Sequence, residues 1–137
     1  MTEAVIVSTA RTPIGKAYKG ALNHTEGATL LGHAISSALS RAKLEGAEVE
    51  DVVMGCAMQQ GTTGTNIARK ALLRAGLPVS AAGTTIDRQC ASGLQAIALA
   101  ARSVIFDGLE VAIGGGGESI RTTSSTAFMP SIPNCSR

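Results

Sequence analysis

Cys90 stands at the boundary between two different kinds of sequence. The residues before it, TTID at 84–87, are mostly β-branched, whereas ASGLQAIALAARSV at 91–104 is small and apolar. This change predicts that a strand ends and a helix begins at Cys90. A thiol there lies beside unpaired backbone N–H groups and the positive end of the helix dipole, which stabilise the reactive thiolate. The position therefore indicates a nucleophile for acyl transfer, although a packing cysteine stays an open alternative.

The other cysteines and the histidines offer weaker candidates for chemistry. The spacing of Cys56, Cys90 and Cys135 matches no zinc or CxxC pattern, and their odd number favours free thiols. Cys56 ends an apolar strand-like run, so we interpret it as a core residue. His24 falls in a loop and His33 on a predicted helix, and neither is expected to act in catalysis.

The glycine run Gly114–Gly117 suggests a phosphate-binding loop at first sight. A P-loop requires Lys followed by Ser or Thr after its glycines, whereas here Glu118 follows, and its charge would repel phosphate. The run is better interpreted as a strand end that turns sharply.

Composition excludes several classes of function. The net charge is only +2 and no basic tract is interleaved with aromatic residues, which argues against nucleic-acid binding. The start of the chain lacks the layout of a secretory signal, and we expect that no apolar run approaches the ~20 residues needed to cross a bilayer. We therefore expect a cytoplasmic protein without a membrane partner, with a mitochondrial or peroxisomal location not excluded.

The periodicity of the sequence predicts four strands that alternate with three helices. The predicted strands are 3–9, 50–58, 83–87 and 110–115, and the predicted helices run from 29 to before Gly46, from 67 to 75 with Asn66 as its cap, and from 90 to about 106. Such a β-α-β-α-β-α-β order predicts an α/β fold with a mostly parallel sheet and helices as crossovers. The third helix is apolar on most sides, so half its surface should need a partner.

Four segments in this order resemble the thiolase family: ARTPIGKAYKGAL, GTNIARKALLRAGLP, TTIDRQCASGLQAIALAARSV and GGGGES. The resemblance implies that residues 1–120 are an incomplete thiolase N-terminal domain. It also implies that Cys90 takes an acyl group from acyl-CoA as a thioester, with its own backbone N–H as the oxyanion donor. No metal or redox cofactor is implied, because CoA thioesters are the substrates.

The family resemblance further implies an acyltransferase that cleaves 3-ketoacyl-CoA with CoA, or condenses two acyl-CoA molecules, as a homodimer or homotetramer. A complete thiolase is about three times longer and supplies two catalytic histidines and a second cysteine, so we expect this chain alone to be inactive. Residues 121–137 depart from the family pattern. We hypothesise that they are a frameshifted start of the family's loop region, which would leave Cys135 without a role.

Two other functions remain alternatives at this stage. The chain could be a noncatalytic fragment or interaction module that pairs with thiolase-like subunits. It could also belong to a related condensing enzyme of the ketoacyl-synthase type, although RQCASGLQA and ARTPIG favour a thiolase.

Overall fold

The computed structural model describes residues 3–120, and it shows a parallel sheet with helices on both faces. The strands are β1 (Asp51–Gly55), β2 (Ala82–Ile86) and β3 (Ala112–Gly116), and the α-helices are α1 (Gly27–Ala42), α2 (Ile67–Arg74) and α3 (Ser92–Arg102). A π-helical turn at Ser103–Asp107 continues α3, and short 3-10 turns lie at Ala21–His24, Gly46–Glu48 and Gly61–Thr63. The strand order is β2-β1-β3, so β1 lies in the centre and pairs in parallel with both neighbours. The predicted α/β class with a parallel sheet is confirmed.

Side chains of β1 alternate between the two faces of the sheet, as the pleat requires. Val52 and Met54 join a large buried cluster with α1 and α2, and Val53 points to the opposite face, towards α3. The members of the large cluster are Ala28, Leu31, Ile35, Leu39, Val49, Val52, Met54, Cys56, Ile67, Ala68, Ala71, Leu72, Leu77 and Ala81. The core on this face is thus built almost entirely from aliphatic side chains.

Helix α3 packs on β1 and β3, but it buries few side chains. The cluster on its side of the sheet contains only Val53, Ala96 and Ala100 as buried members. Leu94 stays 73% exposed, and Ile97, Ile105 and Phe106 are exposed as well. The expectation that much of this helix lacks a covering partner is confirmed for the described residues.

The predicted first strand, residues 3–9, is absent from the described structure. The segment has no strand assignment, and Val5, Ile6 and Val7 are largely exposed. Its β-branched residues fit an extended chain, but a strand also needs a neighbour for its backbone ladder, and no described strand lies alongside it. The sheet therefore has three strands within residues 3–120, where four were predicted.

Two helix boundaries differ from the predictions. Cys90 is not in the first turn of α3, because Ala91 is the N-cap and Ser92 is the first helical residue. Helix α1 ends at Ala42, and its C-cap Lys43 adopts the left-handed conformation (φ 57°), so the helix ends earlier than the predicted stop at Gly46. Asn66 caps α2 as predicted, since its side chain accepts a hydrogen bond from the Arg69 N–H.

One stretch of the described chain, Gln89–Asp107, is long and apolar enough to span a membrane by length and composition alone. It has 19 residues with a mean hydropathy of 1.2, so the prediction that no apolar run approaches this length was wrong. The prediction considered only uninterrupted apolar runs. The mean hydropathy of this segment is high although the segment also contains small and polar residues. A single such helix is weak evidence for a membrane, because core helices of soluble proteins satisfy the same criterion.

Candidate functional site

The carboxyl ends of the three parallel strands bring three segments to one edge of the sheet. Cys56 follows β1, the turn with Cys90 follows β2, and Glu118 follows β3. The strand ends are joined by backbone hydrogen bonds, with the Cys56 N–H donating to the Ile86 carbonyl at 3.0 Å. Open α/β sheets bind ligands at this edge, so it is the place to look for a site.

The turn that carries Cys90 is held by the side chain of Ser92. The Ser92 hydroxyl accepts a hydrogen bond from the Arg88 N–H at 2.8 Å and donates one to the Gln89 carbonyl at 2.6 Å. Ser92 is only 3% exposed, and Gln89 adopts a left-handed φ of 49°, which is uncommon outside glycine and asparagine. These contacts fix the backbone on both sides of Cys90, whose side chain is exposed.

The backbone amides at and after Cys90 are only partly paired within the turn. The Ser92 N–H donates to the Gln89 carbonyl and the Gln95 N–H to the Ala91 carbonyl. Within residues 3–120, the N–H groups of Cys90 and Gly93 donate no backbone hydrogen bond. Free amides at a helix start can receive negative charge on an oxygen, which is the chemistry of an oxyanion hole.

Close backbone packing places the first turn of α3 directly on the sheet. A Cβ atom at Gly55 would lie 2.2 Å from the Ser92 carbonyl carbon, and one at Gly116 would lie 2.9 Å from the Gly93 Cα. Side chains at Gly55 or Gly116 would therefore push the helix away from the sheet. Glycines at the ends of β1 and β3 let the main chain of the helix start rest against the main chain of the strands.

Cys56 has the surroundings of a packing residue, as the sequence indicated. Its side chain is fully buried, and its sulfur lies 3.8 Å from the Glu118 Oε2, to which the thiol donates. Burial and the nearby carboxylate of Glu118 raise the pKa of the Cys56 thiol. Both effects keep Cys56 protonated, which does not suit a nucleophile.

Glu118 binds the loop that follows β1. Its Oε1 accepts a hydrogen bond from the Ala57 N–H at 2.5 Å, and its Oε2 accepts one from the Met58 N–H at 3.1 Å. Sequence reasoning treated Glu118 only as an obstacle to phosphate and gave Ser92 no role of its own. Their positions in the sequence could have indicated a role, because both residues follow predicted strands and so fall at the carboxyl edge of a parallel sheet.

The remaining candidates lie apart from Cys90 or outside the described residues. His24 is in a 3-10 turn and His33 is on α1, both are exposed, and neither hydrogen-bonds Cys90 within residues 3–120.

The guanidinium of Arg88 donates to the Gln95 side-chain oxygen, so it is already paired beside the turn. No group of three metal-ligating side chains occurs in the part of the chain that the structure describes. Cys135 and the proposed 121–137 tail lie outside it.

Comparison with known proteins gives this site its context. The family model described as "Thiolase, N-terminal domain" matches residues 4–134. The chain is 42% identical over 120 residues to a 3-ketoacyl-CoA thiolase of Bacillus subtilis, covering 88% of this chain and 31% of that protein. It is 46% identical over 121 residues to the mitochondrial acetyl-CoA acetyltransferase of Danio rerio, covering 88% of this chain and 28% of that protein.

A solved structure is similar as well. The crystal structure of the Bacillus anthracis acetyl-CoA acetyltransferase superimposes with a TM-score of 0.78 at 39% identity, covering 85% of this chain and 29% of that one. The chain thus spans about 30% of the length of the relatives it matches. The family match also passes the boundary at residue 120 that the sequence suggested, and that boundary stays a prediction. With the family model matching nearly its whole length, the chain belongs to the thiolase family, through that family's N-terminal domain.

Proposed function

We propose that this chain supplies the acyl-accepting cysteine of an acyl-CoA C-acyltransferase, with Cys90 as the nucleophile. The observation that carries the proposal is the exposed Cys90 side chain in a turn fixed by Ser92, between the carboxyl end of β2 and the start of α3. The substrates are CoA thioesters, and the mechanism uses no metal or redox cofactor. Assembly as a homodimer or homotetramer and a cytoplasmic location stay predictions.

In the thiolytic direction, the sulfur of Cys90 forms a bond to the ketone carbon of 3-ketoacyl-CoA. The bond between that carbon and the neighbouring α-carbon then breaks, and the α-carbon takes up a proton as acetyl-CoA leaves. A free CoA thiol attacks the acyl-cysteine, which releases the shortened acyl-CoA and returns the Cys90 thiol. The Claisen condensation is the same sequence in reverse. The backbone N–H of Cys90 donates to the oxygen that becomes negative in each addition.

Turnover also needs a base that takes the proton from Cys90 and returns it later. Neither His24 nor His33 is expected to perform this task, since both are exposed on or before α1 and neither hydrogen-bonds Cys90 within the described residues. We therefore expect the 137-residue chain by itself to be inactive in thiolysis of acetoacetyl-CoA.

Trapping of the acyl-enzyme tests the role of Cys90. The protein, expressed at the full length that its gene encodes, is incubated with acetyl-CoA, quenched in acid, digested and analysed by mass spectrometry. We expect one acetyl group on the peptide that contains Cys90, and none after Cys90→Ala. Cys56 lies in the same digest as an internal control and should stay unmodified because it is buried. Acetylation at another residue, or full activity of Cys90→Ala, would contradict the proposal.

A noncatalytic interaction module is the second candidate, favoured by the uncovered apolar side chains of α3. The same trapping experiment separates the two. An interaction module would carry no acetyl group on Cys90 even when the protein is folded and bound to its partner subunits.

A further inference from the structure

We propose that Glu118 is a positioning residue for Cys90. Its carboxylate fastens the loop after β1 to the end of β3, and these two strand ends form the support on which the first turn of α3 rests. The proposal rests on the proposed function of Cys90 as the nucleophile. It adds a residue that acts through the backbone and makes no hydrogen bond to Cys90.

The fastening consists of several hydrogen bonds between the two strand ends. Each oxygen of the Glu118 carboxylate accepts one backbone N–H, from Ala57 at 2.5 Å and from Met58 at 3.1 Å. The adjacent Gly117 N–H donates to the Gly55 carbonyl at 3.1 Å. Hydrogen bonds from backbone N–H groups to a charged carboxylate are stronger than those to a neutral acceptor. The segments 55–58 and 116–118 therefore behave as one unit.

This unit contacts the start of α3 through main-chain atoms. The backbone of Gly55 packs against Ser92 and Gly93, and that of Gly116 packs against Gly93, without space for a Cβ atom at either strand position. The hydroxyl of Ser92 in turn binds the backbone of Arg88 and Gln89. A displacement of the strand ends must move Ser92 and, with it, the turn that contains Cys90. The path from Glu118 to the sulfur is therefore continuous packing and hydrogen bonding.

A carboxylate is needed for this task because the loop presents two N–H donors to two separate oxygens. Glutamine has one acceptor oxygen, and its amide would place N–H donors against the N–H of Ala57 or Met58. Glu118 is exposed, so Glu118→Gln should cost little global stability while it loosens the loop.

The test compares Glu118→Gln with Glu26→Gln in the protein expressed at the full length that its gene encodes. Glu26 is an exposed glutamate before α1 whose side chain makes no cap hydrogen bond, so it controls for the loss of one negative charge. The measurements are kcat and KM for thiolysis of acetoacetyl-CoA, the thermal midpoint, and the rate of Cys90 alkylation by iodoacetamide.

We expect Glu118→Gln to lower kcat roughly 10- to 100-fold, because misplacement of a reacting group by about 1 Å has effects of this size. KM should change less than about twofold, since the binding contacts remain. Alkylation of Cys90 should slow as well, because that reaction depends on the position of the sulfur and needs no bound CoA thioester. Glu118→Asp, which keeps both acceptor oxygens on a shorter stem, should fall between wild type and Glu118→Gln. Glu26→Gln should match wild type.

Three outcomes would overturn the proposal. In the first, Glu118→Gln matches Glu26→Gln in kcat and alkylation. In the second, KM rises with kcat unchanged. In the third, both Glu118 variants lose the folded state, which would show a general structural role. A Cys90→Ala variant measured alongside separates the two proposals: its full activity would refute Cys90 as nucleophile, whereas an inactive Cys90→Ala with a normal Glu118→Gln would refute only the positioning role.

Discussion

The two faces of the central sheet differ sharply in how completely they are covered. On the closed face, which we define as the side with α1 and α2, a continuous aliphatic cluster includes the fully buried Leu72. On the open face, the side with α3, the buried hydrophobic cluster within residues 3–120 contains only Val53, Ala96 and Ala100, and Leu94 is 73% exposed. Both faces are lined by apolar residues, so the difference lies in what covers them.

This comparison shows that apolar periodicity does not by itself state how much of a helix is buried. Helix α2 has one apolar side and packs on β1 and β2 through it. Helix α3 has apolar residues on further sides, and the described chain supplies a surface for only one of them. The match to the relatives covers only about 30% of their length.

The largest expected effect is loss of stability from truncation on the closed face. Leu72 is fully buried and packs against Gly83 of β2, where a Cβ atom would lie 2.9 Å from the Leu72 Cδ2. We expect Leu72→Ala to lower the free energy of unfolding of the 137-residue chain by about 2–5 kcal/mol, because it removes buried methyl groups and leaves a cavity. Urea denaturation followed by circular dichroism measures the change. A loss below about 1 kcal/mol would mean that this face is not closely packed.

A smaller effect is expected at the cap of α2. The Asn66 side chain accepts from the Arg69 N–H at 3.0 Å and from the Thr85 hydroxyl at 2.8 Å, and it donates to the Gly83 carbonyl at 2.7 Å. Asn66→Ala should cost about 1–2 kcal/mol, since it removes a helix cap and a link to β2. Helix α3 has no side-chain cap at Ala91, so Ala91→Gly serves as the control on the open face. Equal costs for both variants would show that the Asn66 contacts contribute nothing specific.

The smallest effect is expected at Leu94 on the open face. Leu94→Gln should change the free energy of unfolding of the 137-residue chain by no more than about 0.5 kcal/mol, because the side chain is already largely in water. The measurement is the same urea titration as for Leu72→Ala, which makes the two leucines a matched pair. A loss of several kcal/mol at Leu94 would mean that the open face is covered even in this chain, for example by self-association.

Much of the fold followed from the sequence where local signals and tertiary packing agree. Asn66 before an apolar stripe, with Gly76 after it, predicts α2 closely, because the cap and the left-handed glycine act within a few residues. The predicted strands 50–58 and 83–87 also lie within three residues of the ends of β1 and β2. The run 3–9 was wrong as a strand, since strand pairing depends on a neighbour that composition does not reveal.

At the candidate site, the sequence located Cys90 but not the geometry around it. The turn at Gln89 depends on the hydroxyl of Ser92, a contact within three residues that propensity alone does not specify. The contact between Glu118 and the loop at Ala57 joins residues 61 positions apart, so only the strand order β2-β1-β3 brings them together. The role of Cys90 in catalysis stays a prediction that the trapping experiment decides.

The glycine contacts at Gly55, Gly93 and Gly116 have a consequence for engineering this protein. The start of α3 packs on the sheet through main-chain atoms. Its position therefore depends on bond lengths and planar amides, which deform far less than side-chain torsions. Library mutagenesis of surrounding side chains should therefore retune what approaches the sulfur without shifting the sulfur itself. Replacement of Gly55 or Gly116, even by alanine, should instead displace the start of α3 and with it the Cys90 sulfur.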